Sequence, residues 1–268
     1  MGLSQGYGPA DDTESIAAIH AALDAGVTLL DTAISYGQGH NEALVGRAVA
    51  SSGVPRDNLQ IATKFGIVRG DHGVHLDAHP DRIAGYCDES LRRLGTETID
   101  LYYLHRVDPQ VPIEESIGAM SELVSQGKVR HLGVSEVTAD QLRRAHAIHP
   151  IAAVQFEWSL MWREPEVNIV PAARQLGVGL VPYSPLGRGL LGGSLNTTSV
   201  AESPFRANDP RFNGSSLTAN MRQVDALASF AQSRSMTVAQ LALAWLLAQG
   251  DDVVPIPGTR NAQRAQEN

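Results

Sequence analysis

The chain has 268 residues, with 21 Lys and Arg against 29 Asp and Glu, which gives a formal net charge of −8. This negative charge argues against nucleic acid or an anionic membrane as the main partner. Because Cys87 is the single cysteine, an intrachain disulfide and a cysteine-based zinc site are excluded. No apolar run approaches the roughly 18 residues that span a bilayer, and residues 1–9 lack the pattern of a signal peptide. The composition therefore predicts a cytoplasmic protein.

Short apolar segments alternate with amphipathic segments of helical period along most of the chain. The short runs are typical of parallel strands that are buried on both faces. The predicted strands are residues 28–31, 59–64, 99–105, 129–135, 152–157, 179–184 and 253–257. The predicted helices, most of them followed by glycine, are residues 12–25, 81–94, 113–126, 138–149, 168–176 and 236–249. The alternation predicts an α/β fold with an all-parallel sheet, either open or closed into a (β/α)₈ TIM barrel.

Three regions interrupt this pattern. The first barrel strand is missing unless residues 1–4 are its end, and few residues follow the last strand to form a complete final helix. Residues 187–216 are rich in Gly, Ser, Asn and Pro without a period, which predicts a long loop that is functional or disordered. Because no linker marks a second domain, residues 1–268 are interpreted as a single domain.

Polar side chains end three successive predicted strands. These are Asp31, Lys64 and His105, and Tyr36 follows Asp31 in the next loop. Taken singly, each has a structural explanation, such as a turn cap, a surface charge or a hydrogen-bonded core histidine. Taken together they favour function, because the carboxyl ends of barrel strands form the active face.

The chemistry of the four side chains is coherent. A phenol has an unperturbed pKa of about 10, and a nearby ammonium lowers it. Tyr36 is therefore predicted to be a proton donor that Lys64 and Asp31 tune, and His105 is placed to hydrogen-bond a substrate oxygen. Such a set suits carbonyl reduction when a cofactor supplies the hydride.

Several motifs identify a family resemblance. The residues DTAISYG (31–37), ATK (62–64) and LHR (104–106) surround the four side chains. They are followed in order by GVSE (133–136) and YSPLGRG (183–189), and the LRRLG, VQ and IPGTR segments fit the same order. The chain thereby resembles the aldo-keto reductases over essentially its whole length, and several motifs in order are more specific than one.

The resemblance implies a (β/α)₈ barrel that binds NADP(H) without a Rossmann fold and reduces aldehydes and ketones. Tyr36 would be the general acid, Asp31 and Lys64 would tune it, and His105 would orient the carbonyl group. Glu136 stands where many members have Asn. Some bacterial and fungal branches of the family carry Glu at this position. Relative to the family, the chain is expected to be shortened at both ends.

The resemblance also assigns cofactor contacts. Ser135 and Gln155 match residues that hydrogen-bond the nicotinamide carboxamide, and Tyr183 matches the aromatic residue that stacks on the nicotinamide. The residues matching the pyrophosphate stretch are Ser184, Leu186, Gly187, Arg188 and Gly189. The residues matching the adenosine end are Gly258, Thr259, Arg260, Arg264, Glu267 and Asn268. Because guanidinium groups bind phosphate oxygens as a fork, Arg260 and Arg264 favour NADPH over NADH.

Alternatives remain for three features. Residues 187–192 form a G-x-G-x-x-G sequence, but a Rossmann turn should lead into a helix and this one leads into the long loop. Metal binding by Asp71, His72, His75, Asp77 and His79 is disfavoured, because their spacing matches no standard zinc pattern. An apolar group formed by Phe156, Trp158, Met161 and Trp162 is interpreted either as core or as an apolar wall of a carbonyl pocket.

Two other functions stay open at this point. The first is an NADPH-binding regulatory subunit with little turnover, since potassium-channel β subunits resemble the same family. The second is an inactive fragment. The leading hypothesis has a small carbonyl compound as partner, without nucleic acid, membrane or metal, and leaves the physiological substrate and the oligomeric state open.

Overall fold

The structure is a computed structural model that describes residues 1–7, 10–70, 73–193, 195, 200 and 203–268. The strands are β1 Leu29–Asp31, β2 Gln60–Phe65, β3 Ile67–Gly70, β4 Gly73–Leu76, β5 Ile99–Leu104, β6 Val129–Ser135, β7 Ile151–Glu157 and β8 Gly179–Tyr183. The helices that accompany them are α1 Asp12–Asp24, α2 His40–Ser51, α3 Pro80–Leu94, α4 Ile113–Ser125, α5 Ala139–Ile148 and α6 Ile169–Leu176. In the described residues after β8, the α-helices with given bounds are α7 Pro204–Ala207, α8 Gly214–Gln232, α9 Val238–Leu247 and α10 Ala262–Glu267.

Six strands form one sheet in the order β1, β2, β5, β6, β7 and β8, and every neighbouring pair is parallel. The strands of this sheet lie side by side in the order in which they occur along the chain. In a doubly wound Rossmann sheet the strand order reverses part-way, and here it does not. The helices α2 to α6 pack against one another in the same succession on the outside. The prediction of a barrel-type α/β fold is confirmed, and the Rossmann alternative is wrong.

Apolar residues fill both sides of this sheet. A large cluster lies between the strands and the helices and includes Ile61, Tyr102 and Val134. A smaller cluster lies on the opposite, inner face, where Ala62, Tyr103, Ala153 and Val181 pack together. Inner and outer residues alternate along each strand, as the two-residue period of a strand requires. Burial on both faces explains why the strands are continuous apolar runs in the sequence.

The last predicted strand, residues 253–257, pairs with β8 through single backbone bonds. Leu180 N donates to Asp252 O at 2.8 Å, Val254 N donates to Leu180 O at 2.8 Å, and Ile256 N donates to Pro182 O at 3.1 Å. Only Val253 forms a recognised bridge. The backbone groups of Val253, Pro255 and Pro257 point away from β8. Proline has no N–H group, so a further strand could not form a complete ladder of hydrogen bonds with this side. This composition limits the segment to a short edge.

The ends of the chain depart from the expectations. Residues 2–4 form a turn and no strand. The last residues form α10, which packs against α1 and so places the two ends of the helical layer side by side. Sequence periodicity also missed α2, α8 and the antiparallel hairpin of β3 and β4. Within the described residues, no helix combines the length and the hydrophobicity needed to cross a bilayer.

Two glycines inside helices provide a test of how closely α2 approaches the end of α3. A methyl group on Gly46 of α2 would lie 2.5 Å from the backbone oxygen of Leu94, whereas Gly118 of α4 has no atom within 4 Å of that position. We expect Gly46→Ala to lower the free energy of unfolding by about 1–3 kcal/mol, because backbone must move. The control Gly118→Ala should raise it by about 0.5–1 kcal/mol. Urea denaturation measures both, and equal effects would contradict the close approach of α2 and α3.

Candidate functional site

The four predicted side chains meet at the carboxyl ends of the first strands. Asp31 ends β1, Lys64 lies near the end of β2, and His105 directly follows β5. Tyr36 lies between β1 and α2, in a loop held to β2 by the bond from Ile34 N to Lys64 O. The structure therefore brings the four side chains together on one side of the sheet.

The ammonium group of Lys64 is the centre of the cluster. It is fully buried and forms an ion pair with Asp31. It also donates to the backbone oxygen of Thr32 at 2.8 Å and lies 3.5 Å from Tyr36 Oη. Burial by itself lowers the pKa of Lys64, but Asp31 and Tyr36 together outweigh burial, so the pKa lies above its ordinary value. Lys64 therefore carries a permanent positive charge beside the Tyr36 phenol.

His105 packs edge-on against Tyr36, with the ring centroids 5.8 Å apart. Its side chain is buried, and Nδ1 has no hydrogen-bond partner. Burial lowers the pKa of His105 well below its ordinary value, and the charges of Lys64 and Arg106 act in the same direction. The imidazole is therefore neutral at pH 7.

The residues assigned to the nicotinamide lie around this cluster. Gln155 Nε2 donates to Asp31 Oδ2 at 2.9 Å. Arg106, which sequence reasoning did not select, donates from Nη1 to His105 O at 2.6 Å and to Ser135 Oγ at 3.2 Å. Burial and the nearby Glu136 raise the pKa of Tyr183 above its ordinary value. Strands β1, β5, β6 and β7 are thus joined at one edge by polar side chains.

The 184–189 segment has an unusual backbone. Ser184, Gly187, Arg188 and Gly189 all have positive φ angles, between 49° and 104°. The N–H groups of Gly187 and Gly189 donate within the segment, to Ser184 O at 2.8 Å and Leu186 O at 3.0 Å. Leu186 packs in an apolar cluster away from the polar edge. The segment is therefore a tight turn, and its glycines leave room for a close approach to the backbone.

An ion-pair network holds Arg188. Its Nη1 lies 3.1 Å from Asp209 Oδ2, and its Nη2 lies 3.2 Å from Glu157 Oε2. Arg211 contacts the same two carboxylates, at 2.5 Å from Glu157 Oε1 and 2.8 Å from Asp209 Oδ2. Sequence reasoning missed these partners because they lie far from Arg188 along the chain.

The adenosine-end residues are only partly joined to this region. Arg206 donates from Nε to Arg188 O at 2.9 Å, and burial and then the charge of Arg260 lower the pKa of Arg206. The charge of Arg260 thus acts on a residue that contacts the 184–189 segment. The remaining members are engaged within the last ten residues or with α9. The bonds join Asn261 N to Thr259 Oγ1, Arg264 N to Asn261 Oδ1, Gln263 Nε2 to Glu267 Oε1, Gln240 Nε2 to Glu267 O, and Asn268 N to Arg264 O. Among the described residues, no neighbouring atom lies within 4 Å of the position that a Cβ on Gly258 would take.

Comparison with known proteins decides the family. The model of the aldo/keto reductase family matches residues 1–268. The chain belongs to the aldo/keto reductase family. It is therefore an oxidoreductase. A probable aldo-keto reductase of Glycine max is 47% identical over 270 residues, which cover 100% of this chain and 78% of the relative.

Solved aldo-keto reductases have the same fold. The glycerol dehydrogenase of Gluconobacter oxydans superposes with a TM-score of 0.88 at 33% identity, covering 99% of this chain and 83% of the other. An aldo/keto reductase from Klebsiella pneumoniae, solved in complex with NADP and acetate, superposes with a TM-score of 0.75 at 28% identity, covering 98% and 81%. These likenesses extend over nearly the whole described chain and agree with the barrel.

A cavity of about 540 Å³ opens at the carboxyl ends of β6, β7 and β8 in this aldo-keto reductase, and none of the four clustered side chains lines it. Phe156, Trp162 and Tyr183 line it, and Trp162 remains 39% exposed. Trp158, in contrast, is buried in the core, where its indole N–H donates to Glu166 Oε1 at 3.0 Å. Met161 packs against Gly187. The apolar group predicted from the sequence is therefore divided between core packing and a cavity wall.

The metal alternative receives no support where it can be assessed. Asp71 and His72 lie outside the described residues. In the described part, no group of three or more His, Cys, Asp or Glu side chains is arranged to hold a metal ion. Asp77 accepts from Tyr86 Oη at 2.6 Å, and His79 caps the start of α3. Both residues thus have structural contacts.

The low pKa of His105 makes stability depend on pH. Below about pH 6.5 the unfolded chain protonates this histidine while the folded protein does not, so protonation favours unfolding. We expect the free energy of unfolding to fall between pH 7.5 and 5.5, with His105 contributing up to about 1.4 kcal/mol per pH unit. His105→Gln should reduce this slope, measured by urea denaturation at several pH values. The same substitution at the exposed His131 is the control, and an unchanged slope in His105→Gln would contradict the neutral imidazole.

Proposed function

We propose that this aldo-keto reductase reduces aldehydes or ketones to alcohols with NADPH, and that Tyr36 donates the proton. The observation that carries the proposal is the position of the Lys64 ammonium, which is paired with Asp31 and lies 3.5 Å from Tyr36 Oη. A permanent positive charge at that distance stabilises the negative charge that develops on the Tyr36 oxygen as its proton is transferred. The buried surroundings strengthen this interaction, because water screens it little.

The residues of this chain fit NADPH. A cavity of about 530 Å³ is lined by Arg188 and Arg211, whose guanidinium groups are paired with Glu157 and Asp209 in this structure. The two guanidinium groups are suited to phosphate oxygens and would bind the phosphate groups of the cofactor. Solved relatives from Klebsiella pneumoniae are complexes with NADP or NADPH. Ser135, Gln155 and Tyr183 would hold the nicotinamide, and the remaining residues assigned to the pyrophosphate and the adenosine would hold the rest.

When bound, NADPH supplies the hydride, and the side chains of this chain handle the proton. Tyr36 donates its proton to the carbonyl oxygen, and Lys64 stabilises the phenolate that remains. Asp31 keeps Lys64 charged and in position. Neutral His105 hydrogen-bonds the same oxygen and orients it toward Tyr36, without competing as the acid.

The other expectations stay predictions. These are the single domain over residues 1–268, the cytoplasmic setting and the absence of a nucleic-acid partner. The distinction between an active reductase and an NADPH-binding regulatory protein depends on turnover, which the next experiment measures.

Removal of the Tyr36 hydroxyl tests the proposed acid. We expect Tyr36→Phe to lower kcat for reduction of 4-nitrobenzaldehyde by a factor of about 10²–10⁴, because proton donation is lost. Its dissociation constant for NADPH should stay within about twofold of wild type, since no assigned cofactor contact changes. Tyr102→Phe, which removes a hydroxyl on the helix side of the sheet, is the matched control. Full turnover by Tyr36→Phe would exclude Tyr36 as the acid, and NADPH binding by a wild type without turnover would favour the regulatory alternative.

Arg264 tests the preference for the phosphorylated cofactor. Its side chain is exposed on α10. We expect Arg264→Ala to weaken NADPH binding about tenfold or more through loss of a charged hydrogen bond, and to change NADH binding by less than about twofold. Fluorescence titration measures both, and Arg143→Ala on α5 is the control. Equal losses for the two cofactors would mean that other residues recognise the 2′-phosphate.

A further inference from the structure

Tyr103 carries a buried hydroxyl group that the proposed mechanism does not use. The residue is fully buried on β5, and its hydroxyl lies beside the Gln155 amide, but among the described residues no atom has hydrogen-bond geometry with it. A buried hydroxyl without a well-formed hydrogen bond is less favourable than one that is bonded or solvated. A partner in another state of the protein would offset this cost.

Tyr103 lies on the same face of the sheet as the polar cluster. Tyr103 is opposite Lys64 in the β2–β5 register and opposite Gly133 in the β5–β6 register, so its side chain lies on the inner face with them. Its ring centroid lies 5.9 Å from Lys64 Nζ. A methyl group on Gly133 would lie 2.5 Å from the ring, so the glycine makes room for it. Burial and then the charge of Asp31 raise the pKa of Tyr103 well above its ordinary value, whereas Gln155 acts in the opposite direction.

Gln155 has two roles that compete. In this structure its Nε2 donates to Asp31 Oδ2 at 2.9 Å, and Gln155 is 2% exposed. Under the proposed function the same amide hydrogen-bonds the nicotinamide carboxamide. If the amide turns toward the cofactor, Asp31 Oδ2 loses its donor while its negative charge stays buried. A second donor must then be available, because an unsolvated carboxylate oxygen is costly.

We propose that Tyr103 is a positioning residue for Asp31, and that its hydroxyl replaces Gln155 as the donor to Oδ2 when Gln155 turns toward the bound cofactor. This inference rests on the proposed function for the role of Gln155. It gives the unpaired hydroxyl a partner in the bound state and keeps the Asp31–Lys64 pair unchanged during cofactor exchange.

Tyr102 offers a matched control on the same strand. It is also fully buried with an unpartnered hydroxyl, but its ring stacks on Phe65 at 5.0 Å. It belongs to the cluster between the sheet and the helices, on the face opposite to Asp31. A general effect of deleting a buried hydroxyl should appear at both tyrosines, whereas the proposed exchange should appear only at Tyr103.

The first test needs no cofactor. Tyr103→Phe alone should leave the Tm of the cofactor-free protein unchanged or raised, because the deleted hydroxyl has no partner there. In a Gln155→Leu background, where Tyr103 becomes the donor to Asp31, the same substitution should lower the Tm by about 3–6 °C. Tyr102→Phe should have the same effect in both backgrounds. Equal effects of Tyr103→Phe in both backgrounds would overturn the proposal.

The second test measures the dissociation constant for NADPH by fluorescence titration, and it stands even if Gln155→Leu does not fold. We expect Tyr103→Phe to weaken NADPH binding about tenfold, as for loss of one hydrogen bond to a charged group, and Tyr102→Phe to leave it unchanged. Wild-type protein that does not bind NADPH would overturn the proposed function and the exchange together. Wild-type protein that binds NADPH, with an unchanged dissociation constant for Tyr103→Phe, would overturn the exchange alone.

Discussion

The site depends on one buried ion pair. A lysine without solvent access is costly, and its cost is offset only if its charge and its N–H groups are all engaged. Asp31 and the backbone oxygen of Thr32 do this for Lys64. Both partners come from the end of β1, which is only three residues long and would be a weak strand by itself. The ion pair therefore fixes β1 against β2 and, at the same time, sets the position of the loop that carries Tyr36.

The same pair organises the neighbouring strands. The second oxygen of Asp31 accepts from Gln155 across the inner face, and Arg106 joins the backbone of His105 to Ser135. The bonds from Gln155 to Asp31 and from Arg106 to Ser135 cross from one strand end to another, so the polar edge joins distant parts of the chain. Pre-positioned groups of this kind need little reorganisation when charge develops on a substrate oxygen.

The sequence was sufficient for the features that depend on local pattern. Parallel strands buried on both faces leave apolar runs, and residues at the ends of such runs are forced to one edge, which is why the four polar residues were found. Helix α2 was missed because His40 and Asn41 begin it without a side-chain cap and because Gly39 and Gly46 interrupt the helical signal. The hairpin of β3 and β4 was missed because half of its residues are exposed and carry no apolar alternation.

Long-range polar contacts were beyond sequence reasoning for a different reason. Arg188 was assigned to a phosphate from its motif, but its carboxylate partners Glu157 and Asp209 lie in other segments, and no local spacing connects the three. Arg106 was read only as part of a motif, because its two acceptors become neighbours only when β5 and β6 pair. The prolines at 255 and 257 were visible in the sequence, yet their effect depends on which side of the strand faces β8.

Those prolines have a further consequence for the protein in a crowded solution. A sheet edge normally attracts strands from other molecules because its backbone donors are unsatisfied. Here the outward side of residues 253–257 offers two nitrogens without hydrogen, and Val253 N is already bonded to Gly250 O at 3.2 Å. A foreign strand would find backbone oxygens but no available N–H group on this side of residues 253–257, so strand addition there is disfavoured.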